Sequence, residues 1–114
     1  MEAGQAHALS SSLGRITISS EAIAHIVGET ARECYGVVAM AGRKWVPERP
    51  TRGIEIRREG DGMTIDLHVV VEYGLNLAEV ASTVRNRVAY EVGRLTGLPV
   101  RTVEVHIDDV RRSE

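Results

Sequence analysis

Apolar and polar positions alternate with two different periods along this chain, and the switches between them mark out its elements. Arg15-Ile16-Thr17-Ile18 alternates and predicts a short strand. Ser19 or Ser20 then supplies a helix cap, with Glu21 in the first turn facing the positive end of the helix dipole. Ile23, Ile26, Val27, Ala31 and Cys34 follow at helical spacing as one stripe, and Gly36 closes the helix. Val37 to Ala41 is short and apolar, so it predicts a buried strand. Gly53 to Glu59 and Met63 to Tyr73 are strands joined by Gly60-Asp61-Gly62, a turn whose glycines tolerate positive φ. Gly74 breaks the second of these. Asn76 caps a further helix, with Glu79 three residues on in the capping-box position. Leu77, Val80, Ala81, Val84, Val88, Val92 and Leu95 fall on its apolar face. Valine is a mediocre helix former, so a helix striped with it is held by tertiary packing. Gly97 and Pro99 end it, and Val100 to Val110 alternates again as the last strand.

The element order is β-α-β-β-β-α-β. It predicts an α+β fold: a two-layer sandwich with a mixed sheet and both helices packed on one face. Met63–Tyr73, the second helix and the last strand form a crossover unit. At 114 residues the chain fits one domain, placed here at 14–114. Met1 to Leu13, rich in Ala and Ser with a Ser10-Ser11-Ser12 run, predicts a flexible tail.

Composition narrows the core and the compartment. With no Phe and only 4% aromatic residues, the core is aliphatic. A net charge of −2 gives no global attraction to nucleic acid or anionic membrane, so any basic function must be local. Cys34 is the only cysteine, so no internal disulfide forms, and a reducing, cytoplasmic setting is expected. No run approaches the ~20 apolar residues of a membrane helix, and the N-terminus lacks the pattern of a secretory signal.

Three surfaces carry candidate chemistry. The loop from Gly42 to Arg52 sets Trp45 among Arg43, Lys44, Arg49 and Arg52, with Pro47 and Pro50 in the same segment. That combination suits an anion or an acidic partner surface, and it is the candidate binding site. The second is the polar face of the sheet, where Thr64, Asp66, His68 and Glu72 alternate with the apolar positions of one strand. Glu104, His106 and Asp108 do the same on the last strand. With these strands adjacent, His68, His106 and carboxylates converge as metal ligands. No HxxxH, HExxH or CxxC spacing supports a metal, so the expectation is a solvated face with no metal and no cofactor. The third is Arg85, Arg87, Tyr90 and Arg94 on the second helix, diluted by Glu79 and Glu91 and without a GxxG clamp or aromatic platform strand. Nucleic-acid binding is the alternative function and is disfavoured. There is no nucleophile-elbow motif or Gly-rich phosphate loop, and Cys34 lies on an apolar stripe, so the chain is expected not to be an enzyme.

A series of segments also resembles the alkaline shock protein family of bacteria. They are Gly14-Arg15-Ile16-Thr17-Ile18-Ser19, Gly36-Val37, Gly53-Ile54, Val70-Val71-Glu72-Tyr73-Gly74, the valine-striped helix, Thr96-Gly97-Leu98 and Val103-Glu104-Val105-His106-Ile107. In that order they cover Gly14 to Val110. Glu104 stands where the family usually has Asn, and a glycine often present near Asp109 is missing. The resemblance implies a non-enzymatic interaction or scaffold protein of the cell-envelope stress response. It also implies protein partners, a membrane-anchor protein among them, homo-oligomers in some members, and a peripheral place at the membrane reached through a partner. It brings no catalytic residues.

Overall fold

The computed structural model describes residues 6–42 and 51–112. Its elements are β1 (Ala6–Ser11), β2 (Gly14–Ser19), α1 (Ser20–Glu33), β3 (Val37–Met40), β4 (Ile54–Glu59), β5 (Gly62–Glu72), α2 (Leu77–Thr96) and β6 (Val100–Arg111). The expected order is present with one strand added at the front.

β5 is the spine of the main sheet. β6 runs parallel to it along one side, with Asp66 opposite Glu104 and His68 opposite His106. Along the other side lie β4 and β3, both antiparallel to β5 and placed end to end. β4 pairs with Gly62–Leu67, and β3 pairs with Val69–Val71. His68 falls in the gap between them. Its N–H donates to the Gly53 carbonyl and its own carbonyl accepts from Ala41 N, both at 2.9 Å. The chain therefore leaves the sheet edge at Ala41 and returns at Gly53. Gly53 has φ +77°, and a Cβ there would press into the Ala41 carbonyl oxygen, so the crossing needs glycine.

Both helices cover one face of this sheet, as the pattern predicts. Ile65, Leu67, Val69 and Val71 of β5 are fully buried against Ile23, Val27 and Ala31 of α1 and Val84, Val88 and Val92 of α2. Burial of this aliphatic layer is the main stabilising term, about 25 cal/mol per Å² of apolar surface removed from water. The caps fall where expected. Ser19 Oγ accepts from Ala22 N at 3.1 Å, Asn76 Oδ1 accepts from Glu79 N at 3.0 Å, and Gly97 closes α2 in the left-handed region. The apolar stripe of α2 is narrower than the sequence suggests. Leu77 and Leu95 are exposed at the two ends, because valines four residues apart rotate the buried face around the helix.

The flexible tail expected over Met1 to Leu13 is corrected for its second half. Ala6–Ser11 pairs with Gly14–Ser19 in a separate two-stranded hairpin, from Ala6 opposite Ser19 to Ser11 opposite Gly14. Ala and Ser carry little strand propensity, so the signal lies in two inward side chains. His7 is 1% exposed with Nε2 3.1 Å from Ser20 Oγ, and Leu9 packs against the core. Packing, with pairing to β2, overrides propensity here.

Candidate functional site: the polar face of the sheet

The face of the sheet opposite the helices is ordered into transverse rows by strand register. Arg57 lies opposite Thr64 across the β4–β5 pair, and Thr64 is opposite Thr102. The next row is three carboxylates abreast: Glu55 on β4, Asp66 on β5 and Glu104 on β6. The row after that is His68 beside His106. Like charges on directly opposed residues destabilise a strand pair, so the acidic row must be balanced from the rows on either side.

Both neighbouring rows supply that balance. Arg57 donates from Nη1 to Asp66 Oδ2 at 2.6 Å and approaches Glu55 Oε1 at 3.9 Å. His106 donates from Nε2 to Asp66 Oδ1 at 3.2 Å. Burial works against ionising Asp66, but the hydrogen bonds from Arg57 and His106 outweigh it and hold the carboxyl below its ordinary range. The same bond to Asp66 raises Arg57 above the usual guanidinium value. The two imidazoles stack, with ring centroids 4.4 Å apart and planes 12° from parallel. His68 turns its Nδ1 to the Asp108 carboxylate, at 3.0 and 3.1 Å to the two oxygens.

The convergence of His68, His106 and carboxylates foreseen in the sequence is therefore present but divided. His68 belongs with Asp108. Asp66, Glu104 and His106 form the set that fits a metal, each offering one ligand atom and all these atoms lying within 4.8 Å of one another. Arg57 is a residue the sequence reading missed. The two-residue turn at Gly60-Asp61 fixes the register, and that register puts Arg57 diagonally across from Asp66.

Of the candidate binding loop, Arg43, Lys44, Trp45 and Arg49 lie outside the described residues. Arg52 is described. Its Nη2 donates to the Gly42 carbonyl at 3.4 Å. Together with Ala41, Gly53, Asp66, His68 and Asp108 it lines an open cleft of about 710 Å³. The root of the basic loop and the polar sheet face thus form one surface, because the gap between β3 and β4 opens beside His68.

The third candidate does not come together as a basic patch. Arg87 pairs with Glu33 of α1 at 3.5 Å, Arg94 with Glu91 at 2.8 Å, and Arg85 bonds Ser82 and Asn86. Cys34 is buried in the helix layer, where its thiol donates to the Thr30 carbonyl and burial pushes its pKa up. That is the opposite of an activated nucleophile.

Comparison with known proteins bears on this surface. A family model for the alkaline shock protein 23 group, described by a cell envelope-related function, matches residues 8–112. The chain belongs to this family. Its match begins inside β1, so most of the front hairpin lies within the matched region. Among relatives, YloU of Bacillus subtilis is 36% identical over 107 residues, spanning 86% of this chain and 89% of that one. YqhY of the same organism is 31% identical over 102 residues, 83% of this chain and 76% of that one. Solved structures of the MamM CTD share the fold. A zinc form aligns with a TM-score of 0.53 at 16% identity, covering 82% of this chain and 89% of that one. A second variant aligns at 0.52 and 17%, covering 78% and 95%. At such identities the likeness is one of fold alone. No described helix is long and apolar enough to cross a membrane.

Proposed function

We propose that this chain is a non-enzymatic interaction and scaffold protein of the bacterial cell-envelope stress response. It acts from the cytoplasmic side through a protein partner that holds it at the membrane, and by association with further copies. The observation that carries this reading is the exposed sheet face. Both helices pack on the other side, while Glu55 and Arg57 of β4 and Glu104, His106 and Asp108 of β6 stand exposed on the two strands flanking β5. The loop bearing Arg43, Lys44, Trp45, Arg49 and Arg52 is rooted at the same surface. A rigid face with both signs of charge suits recognition of a complementary protein surface, with charge setting specificity and orientation. Membership of a family with a cell envelope-related function supports the setting. Nucleic acid is disfavoured as the partner, because the acidic row would repel phosphates from this face.

The test is site-specific photo-crosslinking in native cells. A crosslinking residue at position 52 is expected to capture a membrane-associated protein, and one at position 90, on the outer face of α2, is expected not to. Absence of any crosslinked partner at position 52, together with a strictly monomeric mass by light scattering, would sink the proposal.

A further inference from the structure

We propose that Asp66, Glu104 and His106 form a binding site for a divalent transition-metal ion, of which zinc is the working probe. The site lies on the same sheet face as the proposed partner surface, but the inference rests on ligand geometry and does not depend on a partner.

The backbone fixes the geometry. Asp66 and Glu104 are directly opposed on the parallel β5–β6 pair, and His106 is the next residue of β6 on the same face. Adjacent strands lie about 4.8 Å apart, so neither side chain needs to reach. The three ligand atoms already lie within 4.8 Å of one another. Ligands of an ion bound at about 2.0–2.2 Å sit at most about 4.4 Å apart. Closing that difference takes side-chain rotation without backbone movement.

The carboxylate row can accept a cation at this spot beside the partners it already has. Glu55, Asp66 and Glu104 stand abreast across three strands, and the Glu104 ligand atom lies within 4.8 Å of those of Asp66 and His106. Arg57 occupies Asp66 Oδ2 on the β4 side. Asp66 Oδ1 faces His106, away from Arg57. Arg57 therefore holds the Asp66 carboxylate in place as an outer partner, as hydrogen-bonded groups behind metal ligands commonly do. Binding requires a neutral His106 with its proton on Nδ1, so that Nε2 presents a lone pair in place of its bond to Asp66. Glu104 and His106 are exposed, so water completes the coordination. An imidazole with two carboxylates selects the zinc or manganese class over magnesium and calcium, which favour oxygen-only sites.

The experiment is calorimetric titration of the full chain, stripped with chelator and dialysed, with zinc chloride. One ion per chain is expected, half-saturated below about 0.1 mM free zinc. Glu104→Gln and His106→Ala are each expected to weaken binding at least about tenfold. His25→Ala, on the exposed side of α1, should leave it unchanged. A second measurement needs no variant to fold. In the wild-type chain, zinc should shift the His106 ring protons in step with occupancy and leave those of His25 in place. The proposal is overturned by the absence of saturable binding up to about 1 mM zinc. It is also overturned by binding indifferent to both site substitutions, by unmoved His106 signals, or by displacement of zinc with millimolar magnesium.

Discussion

Gly53 is where the fold and the candidate surface depend on one backbone position, and Gly53→Ala tests that dependence. An L-residue at φ +77° costs about 1–2 kcal/mol on its own. The added Cβ would also lie well inside 3.0 Å of the Ala41 carbonyl oxygen. Backbone cannot swing aside as a side chain does, so relief moves the β3–β4 crossing. That movement strains the two bonds His68 makes there, His68 N to Gly53 O and Ala41 N to His68 O. Each contributes about 1 kcal/mol. Alanine restricts the unfolded chain and so returns about 0.4–1 kcal/mol. The net expectation is a loss of about 2–4 kcal/mol, or roughly 10 °C or more in Tm for a domain of this size. The matched control is Gly60→Ala in the β4–β5 turn. Its φ is +64°, but the nearest atom to an added Cβ is the flexible Arg101 Nη1 at 3.9 Å. Only the conformational cost remains there, about 1 kcal/mol or less after the unfolded-state gain. Urea denaturation with unchanged m-values measures both. Equal losses at the two positions would refute the claim that the loop root is a backbone-on-backbone crossing.

Two further expectations concern the rest of the molecule. Val88→Ala removes a fully buried side chain between α2 and β5 and should cost about 2–3 kcal/mol in the same assay, whereas Leu95→Ala, 54% exposed, should stay within about 0.5 kcal/mol. His7 has its pKa lowered by burial first and by the Arg58 charge second. Its folded-state pKa is thus below the unfolded value near 6.5, and the unfolded chain binds more protons between the two. Stability from this group is complete above pH about 6.5 and is lost as pH falls toward the folded value. The urea midpoint should therefore drop less between pH 7.5 and 5.5 in His7→Gln than in the wild type, and parallel curves would contradict it.

Helices and main-sheet strands were legible in the sequence because several signals agree at each. The valine stripe, the Asn76 cap and Gly97 all specify α2, and the Gly60-Asp61 turn fixes the β4–β5 register without any tertiary information. The first strand was not legible. Its residues carry no strand propensity, and its place depends on His7 reaching Ser20 and Leu9 reaching the core, both contacts with elements further along the chain. The polar face was legible as a list of alternating residues but not as an arrangement. Only the parallel register of β5 and β6 puts His68 on His106 and Asp66 on Glu104, and no local pattern sets the register of strands joined by a twenty-residue helix.

The division of labour between the two histidines follows from the same register. Both imidazoles are flanked by acids, and stacking brings them to 4.4 Å. Beyond Val69, which is opposite Ile107, a register shift opposes Val70 to Asp109 and leaves Asp108 as the extra residue. A bulge of this kind adds a residue to one strand and re-aims its side chains. Here it leaves Asp108 beside His68, where the carboxylate accepts from Nδ1. His68 is thereby tied to the cleft at the loop root, and His106 is left facing Asp66 and Glu104. Asp108 thus distinguishes the two histidines, His68 standing at the loop root and His106 beside Asp66 and Glu104. Asp108→Asn tests this division by removing the charge from the group that His68 bonds. The His68 ring would then lose its carboxylate while the His106–Asp66 contact stays, a difference read directly from the ring-proton shifts of the two histidines. Equal perturbation of both would show that Asp108 does not distinguish them.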